Sequence, residues 1–316
     1  MDTEIVGLLP NLSPSMTLSE ALKEFNSLVA QSKKWCVNPT KEAGLRRNLT
    51  PQEQTKFAQN DLALSGLLGC NAWYTMTDRT PEIDIAYTRH TIDPSLSQGV
   101  QCVSVGFLQP YILAAHSNCD KLTVVDLSFR TLRLHALMLP LLTAKNFAGI
   151  DVVIETWEKQ SGVKLSEVCT SYSLSRCKIE LMAFAEKYRS GINVELTLSS
   201  LTHFKGDFNQ PTIFYSSNAL DPNFTTADEF KKIQANWMTR TAPFYVIYHQ
   251  AESSNFGVYK LTKQTIQKIC ADNFIVARSG HYSKDGCKYF PATRSEYTTY
   301  FDNAATNKEE KLPCRF

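Results

Sequence analysis

The spacing between one glycine and one acid in residues 101–142 constrains this chain more than any other feature. Residues 102–105 form a short apolar run, the pattern of a buried strand. Gly106 ends it. Pro110 then stands where a first helical turn begins, a position that suits its fixed φ and does not need its missing N–H. A short helix over 111–116 follows, and Ser117-Asn118-Cys119-Asp120 reads as a turn. Residues 122–125 are a second β-branched run, ending on Asp126, 20 residues after Gly106. Ser128 is placed to cap a helix over 129–139 that Pro140 stops or kinks. Strand, turn, helix, strand, acid, helix is a βαβ unit. In such a unit the glycine lets backbone approach a ligand at the strand's carboxyl end. The acid ending the next strand accepts hydrogen bonds from a ribose diol.

The rest of the chain extends this unit. Residues 147–190 read as a mostly helical insertion, and Gly191 ends its last helix at the usual C′ position. Residues 193–198 alternate and are β-branched, which predicts a third strand. Residues 212–215 predict a fourth, with Tyr215 as core, and this strand turns abruptly polar at its end. Thr225 or Thr226 caps a helix over 227–238. Residues 242–249 predict a fifth strand, 261–271 a helix capped by Thr262, 274–278 a sixth strand and 297–301 a seventh. The last two are expected to be antiparallel neighbours, because a short loop cannot make a parallel crossover.

Residues 1–95 differ in style and predict a helical cap or lid. Thr17 and Glu20 form a capping box before an apolar face running from Leu18 to Val29. Thr50-Pro51-Gln52-Glu53 is a second helix start. The expected organisation is therefore this cap over 1–95 and a Rossmann-like domain over 96–316.

Composition excludes several classes. Hydrophobic residues are 43% and charged ones 20%, a normal balance for a globular core. The net charge of +2 leaves no footprint for general nucleic-acid binding. No run of about 18 apolar residues is present, so no membrane span is expected. The amino terminus has acids before a short apolar patch and no basic region, so it does not read as a signal peptide. The cysteines, nine in number, are scattered and contain no C-x-x-C, which supports no zinc ribbon or thioredoxin-like motif, and no metal is expected. They predict reduced thiols and a cytoplasmic chain, with Cys102 and Cys169 as small buried hydrophobes. Cys169 with Cys177 is the local pair if oxidation occurs. The N-x-S/T sequences at Asn11, Asn48 and Asn223 carry little without a secretory signal.

The element order, the Gly106 and Asp126 pair and the closing antiparallel strands resemble the class I S-adenosylmethionine-dependent methyltransferase superfamily over roughly residues 101–301. Val124-Val125-Asp126-Leu127-Ser128 and Phe214-Tyr215-Ser216-Ser217-Asn218-Ala219-Leu220-Asp221 look most like the branch containing betaine-lipid synthases, which transfer the 3-amino-3-carboxypropyl group of the same cofactor. The resemblance implies an α/β fold: a mostly parallel seven-stranded sheet with an antiparallel last strand, plus the helical cap. It implies a transferase that binds S-adenosylmethionine and acts on a small-molecule or lipid-like acceptor. The superfamily's first loop has the form G-x-G-x-G, whereas here Leu108 and Pro110 occupy the later two places. A non-catalytic binding or scaffold protein that has lost its glycine-rich cofactor loop is therefore the alternative. A nicotinamide dehydrogenase ranks last, because it needs the glycine fingerprint even more.

The residues implied for the cofactor are Gly106, Asp126, Ser200, Ser217 and Asn218. Gly106 has the ordinary reading of a strand-end turn, and Asp126 that of a helix cap. Ser199 and Ser200 fall where the superfamily reads the adenine, and read otherwise as plain loop. Ser217, Asn218 and Asp221 fall where an acceptor meets the transferred group. Polar residues ending a buried strand need partners, which loop backbone can also supply. Asn218, His249 and His281 are the candidate catalytic residues. A histidine at the carboxyl edge of a parallel sheet can take a proton from an acceptor hydroxyl or amine. Both histidines have the ordinary reading of solvated loop residues.

Overall fold

The structure is a computed structural model. It describes residues 11–12, 76, 78, 85, 96, 99–126, 129–169, 172–204, 206, 209–221, 225–249, 255–276, 287–290 and 300–306. Most of the expected helical cap lies outside the described residues, including its caps at Thr17 and Thr50. Ser128 and the expected turn over 280–286 lie outside them too.

Five parallel strands make the centre of one sheet. They are β2 (Val100–Ser104), β3 (Cys119–Asp126), β4 (Asn193–Leu198), β5 (Thr212–Ser217) and β6 (Phe244–His249). The remaining strands are β1 (Asn11–Leu12), β7 (Asn255–Leu261), β8 (Ile266–Val276) and β9 (Cys287–Phe290). The spatial order is β1-β4-β3-β2-β5-β6-β7-β8-β9, nine strands in all among the described residues. β4-β3-β2 and β5-β6 pair parallel, and β6 to β9 form an antiparallel meander. At the opposite edge, β1 adds antiparallel to β4. The α/β class with a parallel Rossmann-like centre and antiparallel closing strands is the one expected from sequence.

Apolar runs suit the central strands because both of their faces are covered. Side chains alternate by the strand period of two. Cys102, Ile213, Tyr215 and Ile247 face one layer; Val103, Phe214, Val246 and Tyr248 face the other. The first layer holds α1 (Gln109–His116), α2 (Phe129–Met138), α3 (Ile150–Ser161), α4 (Leu165–Val168) and α5 (Leu174–Arg189). Trp157 of α3 and Phe184 of α5 are fully buried there. The second layer holds α6 (Ala227–Trp237) and α7 (Tyr300–Ala304), which bury Phe230, Trp237 and Phe301.

Local signals that end or start helices were read correctly in several places. Pro110 lies in the first turn of α1, and Pro140 falls in a 3-10 turn, Leu139–Leu142, that ends α2. The 147–190 region folds as α3, α4 and α5. Gly191 follows α5 at φ +118°, a conformation side chains avoid. Thr226 caps α6 in a full capping box: its hydroxyl accepts from the Glu229 N–H, while the Glu229 carboxylate accepts from the Thr226 N–H. Such a cap is worth about 1 kcal/mol.

The chain beyond β6 departs from expectation. The helix expected over 261–271 is instead the end of β7 and the start of β8. The β-branched Thr265, Ile266 and Ile269 favour a strand. Thr262 turns the hairpin rather than capping a helix: its N–H donates to the Thr265 carbonyl at 2.9 Å, and its hydroxyl accepts from the Thr265 N–H at 3.1 Å. Residues 300–304 are helix rather than strand, docked by Phe301 against Tyr259 of β7 and Phe230 of α6.

The thiol expectation is corrected at four cysteines. Cys102 of β2 is bonded to Cys119 of neighbouring β3, and Cys169 after α4 to Cys177 in α5. Cys169 with Cys177 is the pair read from sequence. Non-reducing peptide mapping after thiol blocking is expected to recover both linked pairs, and their reduction is expected to lower stability by about 2–4 kcal/mol each. Recovery of all four residues as blocked thiols would remove both bridges.

Candidate functional site

Strand order reverses between β2 and β5. Helices connecting β2, β3 and β4 lie in one layer, and the helix connecting β5 to β6 lies in the other. This is a topological switch point, and the crevice outside the carboxyl ends of β2 and β5 is where such sheets bind ligands. Two side-chain clusters occupy that edge.

The first surrounds Gly106, which leaves β2 at φ +79°, a left-handed conformation that favours glycine. Its N–H donates to Asp126 Oδ2 at 3.0 Å. Its carbonyl faces His135 Nε2 at 2.8 Å, and the Nδ1 of that ring lies 2.7 Å from the Tyr111 hydroxyl. A carbonyl only accepts, so Nε2 carries the proton and Nδ1 accepts from Tyr111. Burial, partly opposed by this bond to Gly106, lowers the His135 pKa to about 4. Burial, then the neighbouring Tyr188, raises the Tyr111 pKa well above its ordinary value. His135 therefore stays neutral at physiological pH and Tyr111 stays protonated. The structure brings together Gly106 and Asp126, as expected, and adds His135 and Tyr111. Neither of these stood out in sequence: each sits on a buried helix face and reads as ordinary core.

The second cluster surrounds Asp78, which arrives from the segment before the sheet domain and is fully buried. Its Oδ2 accepts from the Ser217 hydroxyl at 2.7 Å and from Gln109 Nε2 at 3.0 Å. Its Oδ1 lies 3.3 Å from His249 Nδ1. That is an ion-pair distance, off-line for a straight hydrogen bond. His249 is 1% exposed, so it is not the solvated loop histidine that its sequence position allowed. Ser217 sits at φ 50°, the one non-glycine residue with positive φ among those described. A β-carbon tolerates this region poorly, and such outliers gather at functional sites. Nothing in the sequence around Asp78 marks it; the contact spans 139 residues.

Gln109 joins the two clusters. Its Nε2 serves Asp78, and its Oε1 has no hydrogen-bond partner among the described residues. A β-carbon built on Gly106 would lie 2.5 Å from that Oε1. The side of Gly106 that a glycine normally keeps open for a ligand thus holds the Gln109 amide.

The other expected residues have local partners. Asn218 is half-buried in the turn after β5, where its carbonyl accepts from the Asp221 N–H at 2.9 Å. Asp221 Oδ2 accepts from the Tyr248 hydroxyl at 3.1 Å. Ser200 bonds within its own turn, to the Thr202 hydroxyl at 2.7 Å and His203 Nδ1 at 2.8 Å. The Ser199 N–H donates to the Asp126 carbonyl at 3.0 Å, keeping the ends of β3 and β4 paired. His281 lies outside the described residues. Among those described, no group of three or more His, Cys, Asp or Glu residues could hold a metal ion, and no helix is long and apolar enough to cross a membrane.

These observations define an α/β protein of Rossmann-like build with a polar, buried carboxyl edge. The chain matches no protein-family model and no curated protein in sequence.

The His135 clamp predicts a pH dependence. Its pKa is depressed on folding, so below pH 6.5 the unfolded chain takes up a proton that the folded one refuses. Stability contributed by this group is therefore complete above pH 6.5 and is lost as pH falls towards about 4, in total about 3 kcal/mol. Denaturant titrations across this window are expected to show the loss in the wild type and its reduction by that amount in His135→Gln. An unchanged slope in the variant would assign the effect elsewhere.

Proposed function

We propose that this chain is an S-adenosylmethionine-dependent transferase, moving a methyl or aminocarboxypropyl group to a small-molecule or lipid-like acceptor. The observation that carries this reading is the placement of Gly106 and Asp126 side by side at the carboxyl edge, next to the switch point of the sheet. The residues fit the cofactor in part. Asp126 can hold a ribose hydroxyl while retaining the Gly106 N–H, because a carboxylate accepts several hydrogen bonds. Gln109 Oε1, without a hydrogen-bond partner among the described residues, is an acceptor suited to an ammonium group. The cofactor, when bound, supplies a sulfonium-activated carbon, so the protein's work is to position the acceptor and exclude water. Ser217, Asn218 and His249 at the ends of β5 and β6 would face that acceptor.

One observation favours the second reading, a methyltransferase-like protein without catalysis. Both polar groups of the Gly106 peptide are bonded within the chain, and the Gln109 amide fills its open side. A cofactor approaching Gly106 has to displace that amide.

Compartment belongs to the same proposal. A cytoplasmic chain was expected from reduced thiols, whereas two disulfides are what an oxidising environment sustains. Peptide mapping on protein trapped directly from its native cells decides between them.

Isothermal titration with S-adenosylmethionine and S-adenosylhomocysteine tests the reading. Micromolar binding is expected, weakened at least about tenfold in Asp126→Asn, since a hydrogen bond to a charged group is worth about 1.5–3 kcal/mol. A flat titration of folded protein would leave the non-catalytic reading.

A further inference from the structure

We propose that the bridge between Cys169 and Cys177 is a redox control on the Asp78 cluster. Oxidised, it holds Asp78 at the carboxyl edge; opened by a cellular thiol or dithiol, it lets Asp78 go. The control acts on the edge whatever ligand the edge takes.

A short path of contacts carries it. The bridge joins the residue after α4 to α5, across 8 residues of sequence. α5 has 16 residues and buries Leu181, Phe184 and Tyr188, so it is a fixed support. α4 has 4 residues. Isolated helices shorter than about 12–15 residues are marginal in water, so α4 keeps its place through what it is tied to. Its start is tied to α3, where the Leu165 N–H donates to Glu158 Oε1 at 2.9 Å. Its end is tied to α5 by the bridge. Val168, the last residue of α4, accepts the Met76 N–H on its carbonyl at 3.0 Å. Asp78 follows two residues later, and its Oδ2 accepts from Ser217 and Gln109. The path from α5 to that carboxylate therefore runs through the bridge, Val168 and Met76. The other bridge gives the contrast. Cys102 and Cys119 lie on β2 and β3, which pair in parallel along Val100–Ser104, so the ladder holds these strands together without the sulfur bond.

The redox step balances. Cys177 is fully buried and Cys169 is 4% exposed, while Glu167, Ser173 and Leu174 around them are exposed. The reductant therefore enters from the loop side as α4 opens, and meets Cys169 first. Its thiolate bonds to Cys169 Sγ, and the electron pair of the broken S–S bond leaves on Cys177 Sγ, which takes up a proton. A second reductant thiolate displaces Cys169, which is protonated in turn, and the reductant departs as its own disulfide. The end of α4 is then no longer joined to α5, Val168 no longer fixes Met76, and Ser217 and Gln109 lose their shared acceptor.

Amide exchange of the full chain, read by NMR with 15N-labelled Met, Gly and Gln, tests this. Dithiothreitol in the Cys102→Ser/Cys119→Ser background opens this one of the two described bridges. Exchange of the Met76 amide is expected to quicken about tenfold, the scale of one lost backbone hydrogen bond. The Gln109 carboxamide signal is expected to move. The Gly106 amide, which donates to Asp126 and not to Asp78, is expected to keep its protection. Cys169→Ser/Cys177→Ser is expected to give the same pattern without reductant. Should that variant not fold, reduction of the wild type carries the test. Unchanged Met76 exchange after reduction overturns the proposal. So does quickening of Met76 and Gly106 together, which is general loosening, and so does recovery of Cys169 and Cys177 as thiols before any reductant is added.

Discussion

The carboxyl edge of this sheet depends on how the Gly106 peptide is held. Asp126 takes its N–H and His135 donates to its carbonyl, so β3 and α2 fix the turn that leaves β2. Backbone groups buried at a strand end need such partners, because each one left unpaired costs about 1–3 kcal/mol. The consequence is directional. With the peptide clamped, α1 starts at a defined point, Gln109 points towards Asp78, and the Tyr111 hydroxyl completes the His135 ring. The Asp126 to Gly106 pairing explains the 20-residue spacing without a ligand. It also leaves the same carboxylate at the carboxyl edge of the sheet, so the structural and proposed functional readings of that acid are compatible.

Asp78 is the second constraint. A carboxylate this buried is tolerated only with donors around it. The chain supplies two from separate places, Gln109 and Ser217, and sets the His249 ring 3.3 Å from the other oxygen. The segment carrying Asp78 is pinned further by the Met76 N–H, which donates to the Val168 carbonyl in α4. The region before the sheet domain therefore completes the carboxyl edge rather than merely covering it. Ser217 shows the same coupling in its backbone: the hydroxyl bond to Asp78 offsets part of the cost of a positive φ.

What sequence could tell follows from the range of each interaction. The βαβ unit was visible because its apolar runs, its glycine and its acid lie close in the chain and obey strand and helix periods. The start of α6 is visible for the same reason, with Thr225 or Thr226 as its cap, although the full box with Glu229 comes from the structure. Polar Ser217 at the end of a buried strand was noticed, but its partner was not. Asp78 lies 139 residues away in a stretch without periodicity, and no local rule links the two. His135 looks like any residue on a buried helix face until Gly106 is placed beside it. The β7–β8 hairpin is not legible locally, because pairing of β7 with β6 and of β8 with β7 makes it. Ser200 and Asn218 were drawn from strand ends alone, and their own turns engage them.

Gln109 sets the relation between the two clusters. Its amide spans them, one end on Asp78 and the other against Gly106. A ligand that reaches Gly106 on its open side has to move this side chain, and moving it removes one of the two donors on Asp78 Oδ2. The ends of β2 and β5 are thereby linked through Asp78 and one rotatable side chain. The occupied face of Gly106 is the observation that weighs towards the non-catalytic reading. The same geometry without a ligand is a closed edge in which Gln109 holds Asp78 and lies against Gly106. That is why the two functional readings share every contact and differ only in whether Gln109 moves.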